Sequence, residues 1–514
     1  MRSKNSFLNI LSIVLMQILS LVLGFVARRL FIDNLPIELL GVSDFFNSFF
    51  YSVSLIDIGF ASILIFNLYK PLNENNQEQV KWLVSSFKKI YTIIASIIIV
   101  VSLIAMPLIY TIFKIDYSNK TYVYFIYIIQ LITSVSKYFF IHKTNIITVS
   151  QQKWKINFIT IGLNLVWFSL KAISMVHFKS YILYLIVILL DGLTINLINV
   201  YLTDKMYPYL KNLPKVSIKE ILNSKILNQS KNFLYHTFYN FVYYSTDNYI
   251  IAYKIGTNPL SYINNYMMII NIFNEFISSI ISSLRDSFAN FLHTENNISG
   301  LYDIYKMTNI FNYFMTSISI VGLYTMIDKW IPLWLNDAFV IEKTVSTLLI
   351  VNLGFDLIFR PLENIYSIKG YVFKEKLPIF ISAIVNLVVS LALVDKYGLV
   401  GVFFGTFLGK IVFWWGKLYY VTGDVFFETR YETLLDLFKL LFLLMSQAIL
   451  INQLADMLFP IISSLVAFII RGVFVVLLVL ISNILIFIRT SHFKELIKLL
   501  LNTLKGFRRK ESNG

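Results

Sequence analysis

Residues 7–32 read FLNILSIVLMQILSLVLGFVARRLFI. From Phe7 to Ala27 the stretch carries no charged side chain, and it then meets Arg28-Arg29. A bilayer-spanning helix needs ~20 predominantly apolar residues, so this one is long enough to cross. It follows Arg2 and Lys4, as a secretory signal would. It exceeds an h-region in length, however, and ends in two arginines rather than a small-residue cleavage site. It reads as a retained first spanning helix.

Thirteen further runs of this kind follow, giving candidate spans at 7–32, 43–68, 88–113, 121–141, 156–177, 181–202, 230–254, 259–284, 307–328, 344–366, 377–395, 399–421, 434–456 and 461–488. The hydrophilic stretches between them are too short to fold alone. Composition agrees: 57% hydrophobic and 14% charged residues, against ~45–50% and ~25% in soluble domains. The expected fold is an all-α integral membrane protein of about fourteen helices. With no cysteine, disulfides, thiolate metal sites and cysteine nucleophiles are excluded.

The net charge of +15 suggests nucleic acid at first sight, but its distribution points to topology. With the N-terminus inside, 28 of the 44 Lys and Arg residues fall in cytoplasmic segments and seven on the other face. That bias places both termini in the cytoplasm and accounts for the basic excess without a nucleic-acid partner; the expected location is a bacterial cytoplasmic membrane. Beyond residue 489, Phe493, Leu496, Ile497, Leu500, Leu501 and Leu504 share one helical face among basic residues. Such a tail either lies on an anionic leaflet or is simply solvated.

An internal repeat organises the rest. A shift of 222 residues lays Phe158, Asn164, Leu165 and Val166 on Phe380, Asn386, Leu387 and Val388, aligning the fifth span with the eleventh. A shift near 220 aligns the outer turn 31–42 with 251–262. Six spans is an even number, so the halves share an orientation, related by a pseudo-two-fold along the membrane normal. The expected organisation is a six-helix lobe at 1–205, a linker at 206–225, a second lobe at 226–425, helices 13 and 14 at 426–490, and a basic amphipathic tail at 491–514.

Polar residues fall in stripes on the first two spans of each repeat. The first span lines up Gln17, Ser20, Gly24 and Arg28, with Arg29 beside them; the second lines up Asp44, Asn47, Ser48, Tyr51 and Ser62. The seventh carries Asn232, Tyr235, His236, Tyr239, Tyr243 and Thr246, with Asp247 at the edge. The eighth carries Asn271, Asn274, Glu275, Ser278, Ser282 and Arg285. Lipid cannot satisfy these groups, so they face protein or a wet cavity. Buried Arg or Lys costs ~2.5–3.5 kcal/mol on insertion scales, which makes Arg28, Lys137, Arg360 and Lys410 the cavity candidates. Arg29, Lys171 and Arg285 lie close enough to helix ends to snorkel. Asp57, Asp191, Asp247 and Glu275 either pair with these cations or couple transport to H⁺ or Na⁺. An arginine-bearing cavity favours an anion, because the guanidinium fork matches phosphate.

Catalytic motifs are missing. Gly401, Gly405, Gly409 and Lys410 imitate a phosphate-binding loop, but Ile411 replaces its Ser/Thr. Glycines at i, i+4, i+8 read instead as a close helix-packing face. The five histidines, 142, 177, 236, 293 and 492, have no metal-ligand spacing. The expectation is a transporter, not an enzyme, with neither cofactor nor metal.

The sequence also resembles a known family. The carrying motifs are ELLGVSDFFNSFFYSVSLIDIGFASILIFNLYKPL at 38–72, STDNYIIAYKIGTNPLSYINNYMMI at 245–269, WIPLWL at 330–335, NLVVS at 386–390 and GLVGVFFGT at 398–406. They resemble the polysaccharide-transport branch of the multidrug/oligosaccharidyl-lipid/polysaccharide exporters, in particular Wzx-type repeat-unit flippases. The likeness covers about 1–425. It implies a V-shaped, two-lobed transporter working by alternating access. The implied substrate is an oligosaccharide on undecaprenyl diphosphate, moved to the outer leaflet for capsule or exopolysaccharide synthesis. Implied partners are membrane lipids, a polysaccharide polymerase and glycosyltransferases. In related lipid II flippases arginines of helices 1 and 8 line the cavity, and helices 13–14 form a lipid-tail groove. Arg28 or Arg29 and Arg285 occupy the matching spans here. Asp57-Ile58-Gly59 resembles the D-x-G of helix 2 in such flippases.

The competing reading is an antiporter of drugs or organic cations on the same fold, which needs a cavity dominated by carboxylates. A polytopic polymerase is disfavoured, because no extracytoplasmic segment is long enough to hold a sugar acceptor.

Overall fold

A computed structural model gives the fold and describes residues 2–149, 153–224, 245–285, 288–289, 298–371, 374–462, 464–499 and 501. The chain divides into two compact units, Met1–Ser261 and Tyr262–Gly514. The border falls inside one continuous helix.

The first unit contains α1 (Arg2–Asn34), α2 (Ile37–Ser54), α3 (Ile56–Asn73), α4 (Gln77–Ile112), α5 (Lys120–Ser136), α6 (Ile141–Val149), α7 (Lys153–Val176), α8 (Tyr181–Met206), the short α9 (Ile218–Leu222) and α10 (245–254). It ends with the first turn of α11 (Asn258–Ser283). The second unit takes the rest of α11, then α12 (Ile298–Trp334), α13 (Lys343–Ile368), α14 (Lys376–Tyr397), α15 (Leu399–Asp424), α16 (Arg430–Leu458), α17 (Leu465–Phe487) and α18 (491–499).

Helix starts follow the local sequence. Asn76, Asn119, Ser180 and Ser464 each accept a backbone N–H of the first turn of α4, α5, α8 and α17. Each thereby satisfies a donor that the helix leaves without an internal partner. Ser217 and Glu220 close a reciprocal capping box on α9. Gly398 turns the chain between α14 and α15 at φ +56°, in the left-handed region that glycine enters without strain.

Thirteen of the expected spans fall on described helices; the seventh, 230–254, is described only over 245–254, which is helical. Ten described helices are long and apolar enough to cross a membrane, or eleven if α5 and α6 form one span bent by 53°. The chain is a multi-pass, all-helical membrane protein. Among described helices of 18 residues or more, α2, α3 and α11 are more polar than these, and they carry residues of the polar stripes. The second expected span is two helices, interrupted at Leu55.

Packing within each unit relies on close backbones and interhelical hydrogen bonds. A Cβ on Gly405 would lie 2.2 Å from Ser390 Oγ and 2.7 Å from Ser390 N; one on Gly401 would lie 2.7 Å from the Leu393 carbonyl. The glycine row of α15 therefore rests against α14. Asn312 donates to the Leu357 carbonyl at 2.8 Å, Asn352 to Phe403 at 3.1 Å and Asn364 to Ile281 at 2.7 Å. Arg471 is wholly buried: it donates to the carbonyls of Ala455, Phe459 and Thr325 and meets Asp456 at 2.8 Å. This arginine ties α17 to α16 and α12.

The C-terminal segment forms α18, where Phe493 is buried and stacks on Phe314 at 5.6 Å. His492 lies 3.2 Å from Asp303. Ile497, Leu499 and Leu501 are exposed.

Candidate functional site

In the first unit the polar residues of α1 and α2 meet one another. Arg28 Nη2 lies 3.0 Å from Asp44 Oδ2 and donates at 2.8 Å to the Ser261 carbonyl, at the start of α11. The two charged side chains are 10% and 12% exposed, so the pair is largely withdrawn from solvent. Further along α2, Ser48 accepts from Asn248 of α10 at 2.8 Å. Gln130 of α5 donates to Ser43 at 3.1 Å and to Tyr181 at 3.4 Å. Arg29, on the neighbouring face of α1, pairs locally with Asp33 at 2.7 Å and is exposed. Tyr51 is exposed.

Two other expected cations of this unit have partners. Lys171 meets Asp191 at 2.5 Å, so each fills the role the sequence reserved for a neutralising neighbour. Lys137 opens the break after α5, its ammonium 5.1 Å from the Tyr138 ring centre.

The start of α11 is held tightly. Asp116 Oδ2 accepts the Asn258 N–H at 2.6 Å, and Thr257 N donates to the Lys114 carbonyl at 3.1 Å. Gly256 sits at φ +142°, and a Cβ there would lie 2.7 Å from Asp116 Oδ2. Gly41 of α2 faces the Thr257 carbonyl, which a Cβ would approach to 2.4 Å.

In the second unit the charges form a ladder between α13 and α15. Asp356, Arg360 and Glu363 stand at i, i+4, i+7 on α13; Lys410, Trp414 and Lys417 repeat that spacing on α15. Lys410 Nζ lies 2.6 Å from Asp356 Oδ2, and Trp414 Nε1 donates to the other oxygen at 2.8 Å. Lys417 pairs with Glu363 and, at 2.8 Å, with Glu375. The rings of Tyr366, Phe413 and Trp414 surround its ammonium at 4.5–5.3 Å. Arg360 donates to Asn274 Oδ1 at 3.2 Å.

Residues of α11 divide into two faces. Ile263, Tyr266, Ile270, Ile277 and Ile281 are buried in the second unit, and Asn274 joins that face through Arg360. Asn271, Glu275 and Ser282 lie on the next face and are exposed, as is Arg285 beyond the helix end. Most of the polar stripe is thus left uncovered by its own unit.

His236 and Tyr239 lie outside the described residues, as does the side chain of Asp57. Asp247 is described, on α10, and is partly buried. Sequence reasoning missed Asp356, Glu363, Glu375 and Lys417. Opposite charges at i and i+7 on two spans, Asp356 and Glu363 against Lys410 and Lys417, were the signal that could have found all but Glu375.

No protein-family model matches the chain, and no curated protein matches it by sequence. Solved structures do. The lipid II flippase MurJ, in an inward closed conformation, superposes with a TM-score of 0.68 at 15% identity, over 93% of this chain and 100% of that one. The Vibrio cholerae MATE transporter VcmN gives 0.56 at 13% identity, over 83% and 99%. An inward-facing multidrug resistance MATE family transporter of the MOP superfamily gives 0.55 at 12% identity, over 78% and 94%. At such identities the likeness is one of fold alone.

Proposed function

We propose that the chain is a flippase. It carries undecaprenyl-diphosphate-linked oligosaccharide repeat units across the bacterial cytoplasmic membrane, by alternating access, for capsule or exopolysaccharide synthesis of the Wzx type. The observation that carries this reading is the uncovered stripe Asn271, Glu275 and Ser282 on α11, within a fold shared over its whole length by a lipid II flippase. Such groups are not stable against hydrocarbon, so they call for water or a polar ligand. Hydroxyl and amide side chains suit sugar hydroxyls and a guanidinium suits phosphate; Arg285 of the second unit is exposed, and Arg28 of the first would have to exchange Asp44 for the diphosphate.

Both termini are placed in the cytoplasm by the charge bias, which puts the Lys-rich segment 205–231 on the side where the lipid-linked substrate is made. The polymerase and glycosyltransferases of the same polysaccharide are the proposed partners. Coupling to H⁺ or Na⁺ is proposed for Asp57, Asp247 and Glu275.

A deletion strain tests this reading. It should accumulate lipid-linked single repeats inside the cell and lose surface polymer, and Arg28→Ala should fail to restore it while remaining in the membrane. Normal polymer in the deletion, with a shifted drug susceptibility, would overturn the flippase reading in favour of a drug antiporter. Polymer restored by Arg28→Ala would remove Arg28 from the mechanism.

A further inference from the structure

The last spanning helix, α17, does not run straight on past Phe487. Thr490 gives both its N–H, at 2.9 Å, and its hydroxyl, at 2.8 Å, to the Phe487 carbonyl. The Thr490 carbonyl in turn accepts the Lys494 N–H as α18 begins. The chain therefore turns at once and brings α18 back to the base of the helices. There Phe493 stacks on Phe314 at 5.6 Å, and Phe314 meets Phe487 at 6.0 Å. The neighbouring side chain reaches elsewhere: His492 lies 3.2 Å from Asp303.

Asp303 and Phe314 both belong to α12 and stand ~16 Å apart along its axis. Residues 492 and 493 are only ~1.5 Å apart along their own helix, so their contacts can be that far apart only if α18 lies across α12 rather than beside it. Phe314 falls within the apolar stretch 307–328, and Asp303 precedes it. The Phe493 face of α18 consequently looks into the hydrocarbon layer, and the helix lies along the edge of that layer. Ile497 and Leu501 follow at i+4 and i+8 on the same face, yet they are 40% and 50% exposed. Lys494 and Lys498, each one residue further round, flank that ridge and are exposed, whereas Glu495 points away from it. Leu499 falls outside the ridge, on the His492 side. Over 489–501 the sequence sets Arg489, Lys494 and Lys498 against Glu495, and over 502–514 it sets Lys505, Arg508, Arg509 and Lys510 against Glu511.

We propose that α18 is a membrane-surface anchor: Ile497 and Leu501 enter the acyl chains beside Phe493, while Lys494 and Lys498 hold the headgroups of anionic phospholipids. Under the topology proposed above, these are lipids of the cytoplasmic leaflet. Acyl chains suit the ridge because it prolongs a face that already stands at the hydrocarbon layer at Phe493. Anionic headgroups suit the lysines along its flank. A free phosphate would meet the same cations but leave Ile497 and Leu501 in water. The anchor fixes the depth of the ends of α12 and α17, through Phe314 and Phe487, whatever substrate the protein carries.

The chain has no cysteine, so Ile497→Cys, Leu501→Cys and Glu495→Cys each give the full protein a single spin-labelling site. The labelled variants are placed in nanodiscs of phosphatidylcholine with or without phosphatidylglycerol. Both faces of a disc are open, so the outcome depends neither on the proposed topology nor on the substrate. Collision with oxygen, which concentrates in hydrocarbon, and with a neutral nickel chelate, which stays in water, reports the depth of each label. With phosphatidylglycerol present, labels at 497 and 501 should favour oxygen over nickel ~threefold or more relative to the label at 495. Lys494→Gln combined with Lys498→Gln, or omission of phosphatidylglycerol, should at least halve that preference. Elution as a single species confirms that each variant is folded. Equal nickel access at 497 and 495, meaning a solvated segment, overturns the proposal. So does shielding of 497 from both reagents, meaning a covering protein. A depth indifferent to both the lysines and phosphatidylglycerol overturns it as well.

Discussion

Lys410 and Asp356 sit 2.6 Å apart between α15 and α13, and both side chains are only 10% exposed. Each charge is tolerable there because the other is present. Removing one partner of a buried pair leaves a bare charge and costs ~3–5 kcal/mol, whereas an apolar replacement of both is often neutral. Lys410→Met should therefore lower the thermal unfolding midpoint of the purified protein far more than Lys410→Met combined with Asp356→Leu. The double variant should keep a smaller deficit of ~1–3 kcal/mol, because the Trp414 N–H then has no acceptor. Equal losses in the single and double variants would mean that the pair is not coupled.

Gly405→Ala should destabilise the protein by at least the ~1–3 kcal/mol typical of overpacking, since the new methyl meets the Ser390 backbone at 2.7 Å. Gly162→Ala makes the opposite case. A Cβ there meets nothing within 4 Å, and alanine is favoured over glycine in a helix by ~1 kcal/mol. Unfolding midpoints should move in opposite directions for the two variants.

Asp116→Ala should loosen the first turn of α11, which loses the acceptor of the Asn258 N–H. Lost caps cost ~0.5–2 kcal/mol. Hydrogen exchange should quicken at residues 256–260 while the amides of α13 keep their protection. Gly256→Ala should give the same pattern, because φ +142° and the nearness of Asp116 both exclude a side chain.

Arg471→Lys should destabilise nearly as much as Arg471→Met. The arginine serves three carbonyls and Asp456 from two separate nitrogens, a geometry that a single ammonium cannot reproduce. Asp456 is 47% exposed, so Asp456→Asn should cost no more than ~1 kcal/mol. An Arg471→Lys variant as stable as the parent would show that charge, not the fork, matters there.

Spans with long apolar runs, such as 461–488, were legible in the sequence because hydrocarbon dictates their composition directly. The break at Leu55 was not, since no glycine or proline marks it and Leu55 itself keeps helical dihedrals (φ −59°, ψ −25°). The stripe read on α11 as one polar face divides: Asn274 turns inward to Arg360 while Asn271 and Glu275 stay outside. Periodicity fixes a direction to within one side chain's width, and a neighbouring helix decides the rest. The partners of Lys410 and Lys417 were hidden for a different reason. Asp356 and Glu363 sit more than fifty residues away in the chain, and pairing across helices depends on register that one sequence does not reveal.

The contact between Gly401, Gly405 and the α14 backbone has a mechanical consequence. Two rods that touch main chain to main chain, with Ser382 and Ser390 bonded to the carbonyls of Gly409 and Val402, have no room to slide or roll. Whatever strokes this protein makes, α14 and α15 travel as one stiff lever, and any flexing is displaced to its ends.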